Sequence, residues 1–446
     1  MIKQSEKSML SKRICTREAR IGVIGLGYVG LPLAVACARA GFTTVGFDID
    51  DSKVSSIRTG RSYIDSVGSG DLSLLTADGM LTATSEFSQL GGCDVIVICV
   101  PTPLSKNREP DLTFVESTAH VIAGSLRCDQ LVILESTTYP GTTEEVLRPI
   151  LEKGGLKSGQ EFFLGFSPER EDPGNLAFKT VTIPKVVAGD GPQALKLVEA
   201  FYGAVVESVV SVSSPKVAEA VKITENVFRS VNIALVNELK IIYDAMGIDV
   251  WEVIEAASTK PFGYMPFYPG PGLGGHCIPI DPFYLTWKSR EYNLPTRFIE
   301  LSGEINLSMP KYVVGKLENA LDEIARLSLG SAKILVLGIA YKKNVSDIRE
   351  SPSFAILELL AKRGVSFGYH DPHVGQIPST REHPAFTGLK SVNLDVDCFE
   401  YFDAVLVLTD HDAVDYELVV RHARIIVDTR NVFGRRGLRS SNIRKA

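Results

Sequence analysis

Cys277 stands in the run Gly274-Gly275-His276-Cys277-Ile278-Pro279-Ile280-Asp281, in a loop and not in an apolar segment. A free thiol has a pKa of about 8.5, and neighbouring cations or helix N-termini lower it toward the reactive thiolate. His276 is one such neighbour, although adjacent side chains often point apart. Far upstream lies Gly25-Leu26-Gly27-Tyr28-Val29-Gly30, a glycine pattern suited to a dinucleotide. A nicotinamide cofactor alone removes one hydride from an alcohol. A thiol beside it can hold the resulting aldehyde covalently until a second hydride leaves, carrying an alcohol to a carboxylate. A cysteine that serves only its own loop is the plainer alternative.

Other residues could complete that chemistry. Lys222 and Asn226 are one helical turn apart, so they share a face, and a cation beside an amide donor can steady negative charge on an oxygen. The same pair would also suit an exposed helix surface. Asp281 could orient a water or a lysine, or be a solvated loop carboxylate. Glu169, in Ser167-Pro168-Glu169-Arg170, could activate water or pair with Arg170. Val100-Pro101-Thr102-Pro103 and Ser136-Thr137-Thr138 each follow an apolar strand, at the sheet edge where such folds bind ligands, or as simple turn caps.

The glycine motif has the right surroundings. Ile21–Ile24 reads as a strand, Tyr28–Ala40 as a helix and Thr43–Phe47 as a second strand ending at Asp48. Gly25 permits the tight turn, Gly27 lets backbone approach a pyrophosphate and Gly30 allows helix–strand packing. The pyrophosphate would rest on the helix N-terminus. Asp48, about 20 residues beyond the motif, would accept from the ribose hydroxyls. With Asp50 and Asp51 nearby and no arginine before Arg58, it favours NAD over NADP.

Strands follow at Asp94–Val100, Leu131–Glu135, Phe162–Phe166 and Val186–Ala188, with helical stretches between most of them. Pro215–Met246 and Val250–Ala257 are helical, the Pro/Gly-rich stretch Pro261–Pro282 is a long loop, and helices resume at Thr296–Leu307 and Lys311–Arg326. Lys333–Leu337, Pro352–Arg363, Ser366–Tyr369, Asp403–Leu408 and Ala423–Val427 repeat the strand–helix alternation without the later glycines. The pattern predicts an α/β chain: two Rossmann-like, doubly wound parallel-sheet domains joined by a central helical domain. Its parts are a polar extension over 1–20, an NAD-binding domain over 21–213, a helical domain with the thiol loop over 214–327 and a second α/β domain over 328–446.

A chain of 446 residues has room for two or three domains at about 150 residues each. A net charge of -6 gives no general attraction to nucleic acid or anionic lipid. The seven cysteines are scattered, with no metal-ligand spacing, which predicts reduced thiols in the cytoplasm and no metal. The apolar stretch Ile21–Ala38 contains glycines and Pro32 and reads as strand, loop and helix, not as a membrane span.

Seven segments taken together resemble the UDP-glucose/GDP-mannose dehydrogenase family: Gly25–Leu33, Val100–Pro103, Glu135–Thr138, Ser167–Arg170, Glu219–Asn226, Gly274–Asp281 and Gly338–Pro352. The likeness runs over essentially all the chain after residue 20. It implies NAD-dependent four-electron oxidation of a nucleotide sugar at C6, a central domain that forms homodimers or larger homo-oligomers, and UDP binding by the C-terminal domain. By that resemblance Cys277 is the nucleophile, and Lys222 and Asn226 steady the C6 oxygen. Asp281 and Thr137 position the lysine and water, and Glu169 assists thioester hydrolysis. Arg349 reaches the substrate, in many members across the dimer interface, and Lys342 lies near the diphosphate. Glu169, Arg170, Tyr268 and Gly274 would line the sugar nucleotide; Tyr28, Val29, Pro101, Thr102 and Thr137 would join the glycines at the cofactor.

One departure matters. Ile280 occupies the place where many UDP-glucose members carry lysine. With Ser167–Asn175, the His276–Pro279 form looks like the branch acting on UDP-N-acetylhexosamines, UDP-N-acetylglucosamine first, in making surface polysaccharide (O-antigen or capsule). UDP-N-acetylmannosamine, UDP-N-acetylgalactosamine and UDP-glucose stay open, as do a two-electron hydroxyacid dehydrogenase and a non-catalytic nucleotide-sugar binder.

Overall fold

Short apolar strands alternating with helices can bury both faces only as a parallel sheet covered on each side, and the chain builds two of them. The computed structural model describes residues 9–64, 66–105, 109–170, 180–275, 278, 280–380 and 383–446. The first compact unit runs to Glu225 and takes in Phe283–Pro295. Its strands are β1 (Ile21–Ile24), β2 (Thr44–Phe47), β3 (Leu81–Thr84), β4 (Val95–Ile98), β5 (Leu131–Leu134), β6 (Phe163–Phe166), β7 (Lys185–Gly189) and β8 (Val209–Ser211). They lie in the order β3-β2-β1-β4-β5-β6-β7-β8. The first six reproduce the strand order of a dinucleotide-binding sheet, with its topological switch between β1 and β4. One pair, β6–β7, runs antiparallel; β7, the Pro192–Tyr202 helix and β8 then make their own parallel crossover. Along β4, Val95 and Val97 enter one core while Ile96 and Ile98 enter the other, which explains why the strand reads as one unbroken apolar run.

Part of the stretch expected to be a polar extension is built into this unit. Met9–Cys15 is a helix whose Leu10 and Ile14 are buried in the first core, and Arg13 pairs with the buried Asp94 at 2.5 Å. Two apolar residues one turn apart dock it, although the charged residues of this stretch are mostly basic.

The second unit comprises Asn226–Pro282 and Thr296–Ala446. Its sheet contains β9 (Lys333–Leu337), β10 (Ser366–His370), β11 (Ala404–Val407), β12 (Ile426–Asp428) and β13 (Ile443–Lys445), all parallel, in the order β10-β9-β11-β12-β13. Much of the helical stretch expected over 214–327 is counted with this unit. The helix Pro215–Ala245 is continuous and contributes residues to both units, because its first turns bury Ala218 in the core of the first. The two helices expected around residue 310 are likewise one, Arg297–Ala325, with Pro310 inside it. Proline costs that helix one N–H bond, and the burial of Met309, Pro310, Val313 and Val314 holds it together across the gap. No helix among the described residues is long and apolar enough to cross a membrane.

Candidate active site and cofactor cradle

The glycine loop between β1 and the helix Gly30–Arg39 is set by backbone geometry. Gly25 has φ +88°, and a Cβ there would lie 2.6 Å from the Cys99 carbonyl oxygen; a Cβ on Gly30 would lie 1.9 Å from that of Gly25. Gly27, by contrast, faces open space. Asp48, just past β2, is buried and accepts from the backbone N–H of Leu26 at 2.8 Å and of Asp50 at 2.9 Å. Lys53, which sequence reasoning passed over, lies 3.3 Å from the same carboxylate. Tyr63 donates its hydroxyl to the Leu26 carbonyl at 2.6 Å. Burial, followed by the charges of Asp48 and Asp50, pushes that phenol upward and keeps it a donor. An open-faced loop at a helix N-terminus, with a fixed carboxylate beside it, fits a dinucleotide.

Asp48 thus ties the loop to the sheet. Asp48→Ala is expected to weaken NAD about tenfold or more, since hydrogen bonds to a charged group contribute about 1.5–3 kcal/mol. Calorimetric titration should show UDP affinity unchanged; unaltered NAD affinity would remove Asp48 from the cofactor site.

The β4 and β5 loops are laced together. Ser136 Oγ donates to the Val100 carbonyl at 2.6 Å, and Thr102 Oγ1 donates to the Thr137 carbonyl at 2.6 Å. Tyr284 hydrogen-bonds to the Thr102 carbonyl. The Thr138 hydroxyl is buried without a partner among the described residues, an expensive condition for a polar group and one that a bound ligand or water would relieve. Pro101 is exposed, and Tyr28 is 38% exposed.

Lys222 is not on an exposed helix face. It is buried, its ammonium hydrogen-bonds to the Glu169 backbone carbonyl, and it lies 3.4 Å from Glu169 Oε2. A buried ammonium is tolerable only when paired in this way. Glu169 is therefore the lysine's partner, while Arg170 donates to Glu225 at 2.6 Å and to the Pro184 carbonyl at 2.7 Å.

In the second unit, Asn226 is fully buried and donates its amide to Asp281 Oδ2, while Arg229 donates to its oxygen. Asp281 is also buried, at the head of the helix Asp281–Ser289, so it is no solvated loop carboxylate. The loop before it is anchored by residues that sequence reasoning missed. Gly270 donates its N–H to Asn237 at 3.0 Å, Asn237 donates to Asn306 at 2.9 Å, and Asn306 donates to the Ser230 carbonyl at 3.2 Å. The available signal was polar residues recurring on one helix face: Lys222, Asn226, Ser230 and Asn237 are all buried. Gly274 leaves no room for a side chain, because a Cβ would lie 2.9 Å from Pro352 and 3.1 Å from the Tyr341 side chain. Gly274 is thus fitted against the segment that carries Lys342 and Arg349. Tyr268 is 47% exposed and stacks on Trp251 with ring centroids 5.8 Å apart; Arg349 pairs with Asp347 at 2.7 Å. His276, Cys277, Pro279 and Glu171–Asn175 lie outside the described residues.

The sheet of the second unit repeats the strand–loop–carboxylate arrangement but fills it. Asp371, the counterpart of Asp48, accepts from Ile339 at 2.8 Å and Ala340 at 3.1 Å, and His411 Nε2 lies 3.1 Å away. Burial opposes its ionisation, yet His411 and the backbone donors bring its pKa below the ordinary carboxylate value. His411 Nδ1 accepts the N–H of Asn344 at 2.9 Å, which fixes the other nitrogen as the donor to Asp371.

Residues 19–206 match the NAD binding domain of the UDP-glucose/GDP-mannose dehydrogenase family, 216–308 its central domain and 335–435 its UDP binding domain. The UDP-N-acetyl-D-glucosamine 6-dehydrogenase of Pseudomonas aeruginosa is 38% identical over 82% of this chain and 86% of its own length. The UDP-N-acetyl-D-mannosamine dehydrogenase of Pyrococcus horikoshii is 34% identical over 93% and 96%. A solved structure of UDP-D-ManNAc dehydrogenase from Pyrococcus horikoshii superposes with a TM-score of 0.85 at 32% identity, covering 96% of this chain and 98% of that one.

Proposed function

Since this chain belongs to the UDP-glucose/GDP-mannose dehydrogenase family and is an NAD-dependent UDP-sugar dehydrogenase, we propose that it oxidises the C6 hydroxyl of a UDP-N-acetylhexosamine, UDP-N-acetylglucosamine, to the uronic acid. The reading is carried by the burial of Lys222 and Asn226 on one helix, each held by a carboxylate, Glu169 and Asp281 respectively. Held by the Gly25–Gly30 loop and Asp48, NAD would supply the hydride acceptor for each of the two oxidations at C6. The Lys222 ammonium and the Asn226 amide donate to the C6 oxygen as charge builds on it. The Cys277 sulfur adds to the aldehyde carbon, giving a thiohemiacetal whose oxidation leaves a thioester. Glu169 takes a proton from the water that attacks the thioester, the C–S bond breaks, and the carboxylate leaves as the thiol is restored. Thr137 and Asp281 orient the participants, and Lys342 and Arg349 hold the nucleotide end.

The choice of N-acetylglucosamine rests on Ile280 and the Ser167–Asn175 form, together with the Pseudomonas relative; the Pyrococcus relative makes N-acetylmannosamine the competitor. A homodimer is supported by a stripe of exposed apolar side chains, Phe228, Leu235 and Ile242, at seven-residue spacing on the Pro215–Ala245 helix. A cytoplasmic enzyme supplying surface polysaccharide fits the free cysteines and the product chemistry. Counting NADH against a panel of UDP-sugars tests the whole reading. We expect two NADH per sugar and a kcat/KM for UDP-N-acetylglucosamine about tenfold or more above the other sugars. One NADH per sugar would overturn the double oxidation, and preference for another epimer would reassign the substrate.

A further inference from the structure

Glu219 lies three residues before Lys222 on the Pro215–Ala245 helix, so the two share a face. It is completely buried, yet no lysine or arginine pairs with it among the described residues. Its carboxylate instead collects donors from one short segment: the N–H of Gly141 at 2.5 Å, the N–H of Thr143 at 2.8 Å and the Thr143 hydroxyl at 2.7 Å. Those groups head the helical stretch that begins at Thr143, where unsatisfied N–H groups and the helix dipole favour an anion. Burial still pushes the carboxyl up to about 7 against those donors, so holding it ionised there is costly. An apolar contact would join two helices at less cost. What the carboxylate adds is a fixed register.

The register concerns the chain between β5 and that helix. Its leading end is pinned to the β4 loop through Ser136 and the Thr137 carbonyl. Thr142 closes the following turn by donating to the Tyr139 carbonyl at 2.8 Å. Glu219 pins the trailing end to the helix that carries Lys222. Thr137 and Lys222, which otherwise belong to separate segments, are therefore referred to one helix turn.

We propose that Glu219 is a positioning residue for the oxidation, acting through the Gly141–Thr143 turn to hold Thr137 in register with Lys222. The inference rests on the assignment of those two residues to the reaction. It is tested in the full-length enzyme by steady-state kinetics of NADH formation for Glu219→Ala, Glu219→Gln and Thr143→Val, with Lys222→Met alongside. Glu219→Ala loses all three contacts, and kcat should fall about 10- to 100-fold while KM for UDP-sugar and NAD stays within about threefold. Glu219→Gln keeps one accepting oxygen but turns an amide donor toward a second donor, so it should recover part of that loss. Thr143→Val, which removes one contact of the three, should fall least. Rates are expressed per NAD-binding site measured by titration, which removes any unfolded fraction. If Glu219→Ala does not fold, Glu219→Gln decides: a lowered kcat with unchanged KM supports the inference, and an unchanged kcat overturns it. Normal kcat in Glu219→Ala with a dead Lys222→Met would overturn this inference alone. Normal turnover in Lys222→Met would overturn the assignment beneath it, and this inference with it.

Discussion

Cys277→Ala is expected to form no measurable uronic acid while binding NAD and UDP-sugar as tightly as the parent enzyme. In the proposed mechanism the thiol bonds to the sugar only after the first hydride has left, so it contributes little to ground-state affinity, and its removal should appear in kcat. The expected loss is about a thousandfold or more, equivalent to about 4 kcal/mol in the barrier. Without sulfur the first oxidation can still run, and run back, because the aldehyde has nothing to trap it. Rapid mixing should show at most one NADH per site, reversed on adding excess NADH. Cys277→Ser adds a second check: oxygen can form the corresponding ester, which hydrolyses more slowly than a thioester, so acyl-enzyme should accumulate and be visible by intact-protein mass spectrometry. Uronic acid formed at near-parental rate by the alanine variant would exclude the covalent route.

The fold was legible wherever burial on both faces left a continuous apolar run, as in β1, β4, β5 and β9. It was not legible in β3 and β8. Leu81-Thr82-Ala83-Thr84 has only weak apolar character, and Val209-Val210-Ser211 is three residues at the sheet's margin, so each is recruited by its neighbour more than by its own sequence. Pro310 misled for a related reason: proline breaks an isolated helix, but here tertiary packing spans the missing bond. Among the proposed site residues, types and spacing singled out Lys222, Asn226, Asp281 and Asp48. They could not announce partners. That Glu169 goes to Lys222 while Arg170 goes to Glu225, or that Asn237 and Asn306 carry Gly270, depends on contacts between segments tens of residues apart.

Lys222→Met separates the lysine's electrical role from its structural one. Methionine matches the lysine stem in length and apolar character, so the burial survives while the ammonium is lost. Two effects should follow, with different signatures. Removing one preorganised donor from a developing oxyanion costs about 100- to 1,000-fold in kcat. Removing the cation also breaks the buried Lys222–Glu169 pair, which destabilises by about 3–5 kcal/mol. The Lys222→Met/Glu169→Gln double variant tells them apart. Glutamine there has no unpaired charge, so thermal stability should largely return. Activity should not, because in the proposed mechanism the C6 oxygen still lacks its donor and the thioester now lacks its base. A double variant that regained kcat along with stability would mean that Lys222 acts only by compensating Glu169; one that regains stability alone leaves the ammonium facing the reacting oxygen.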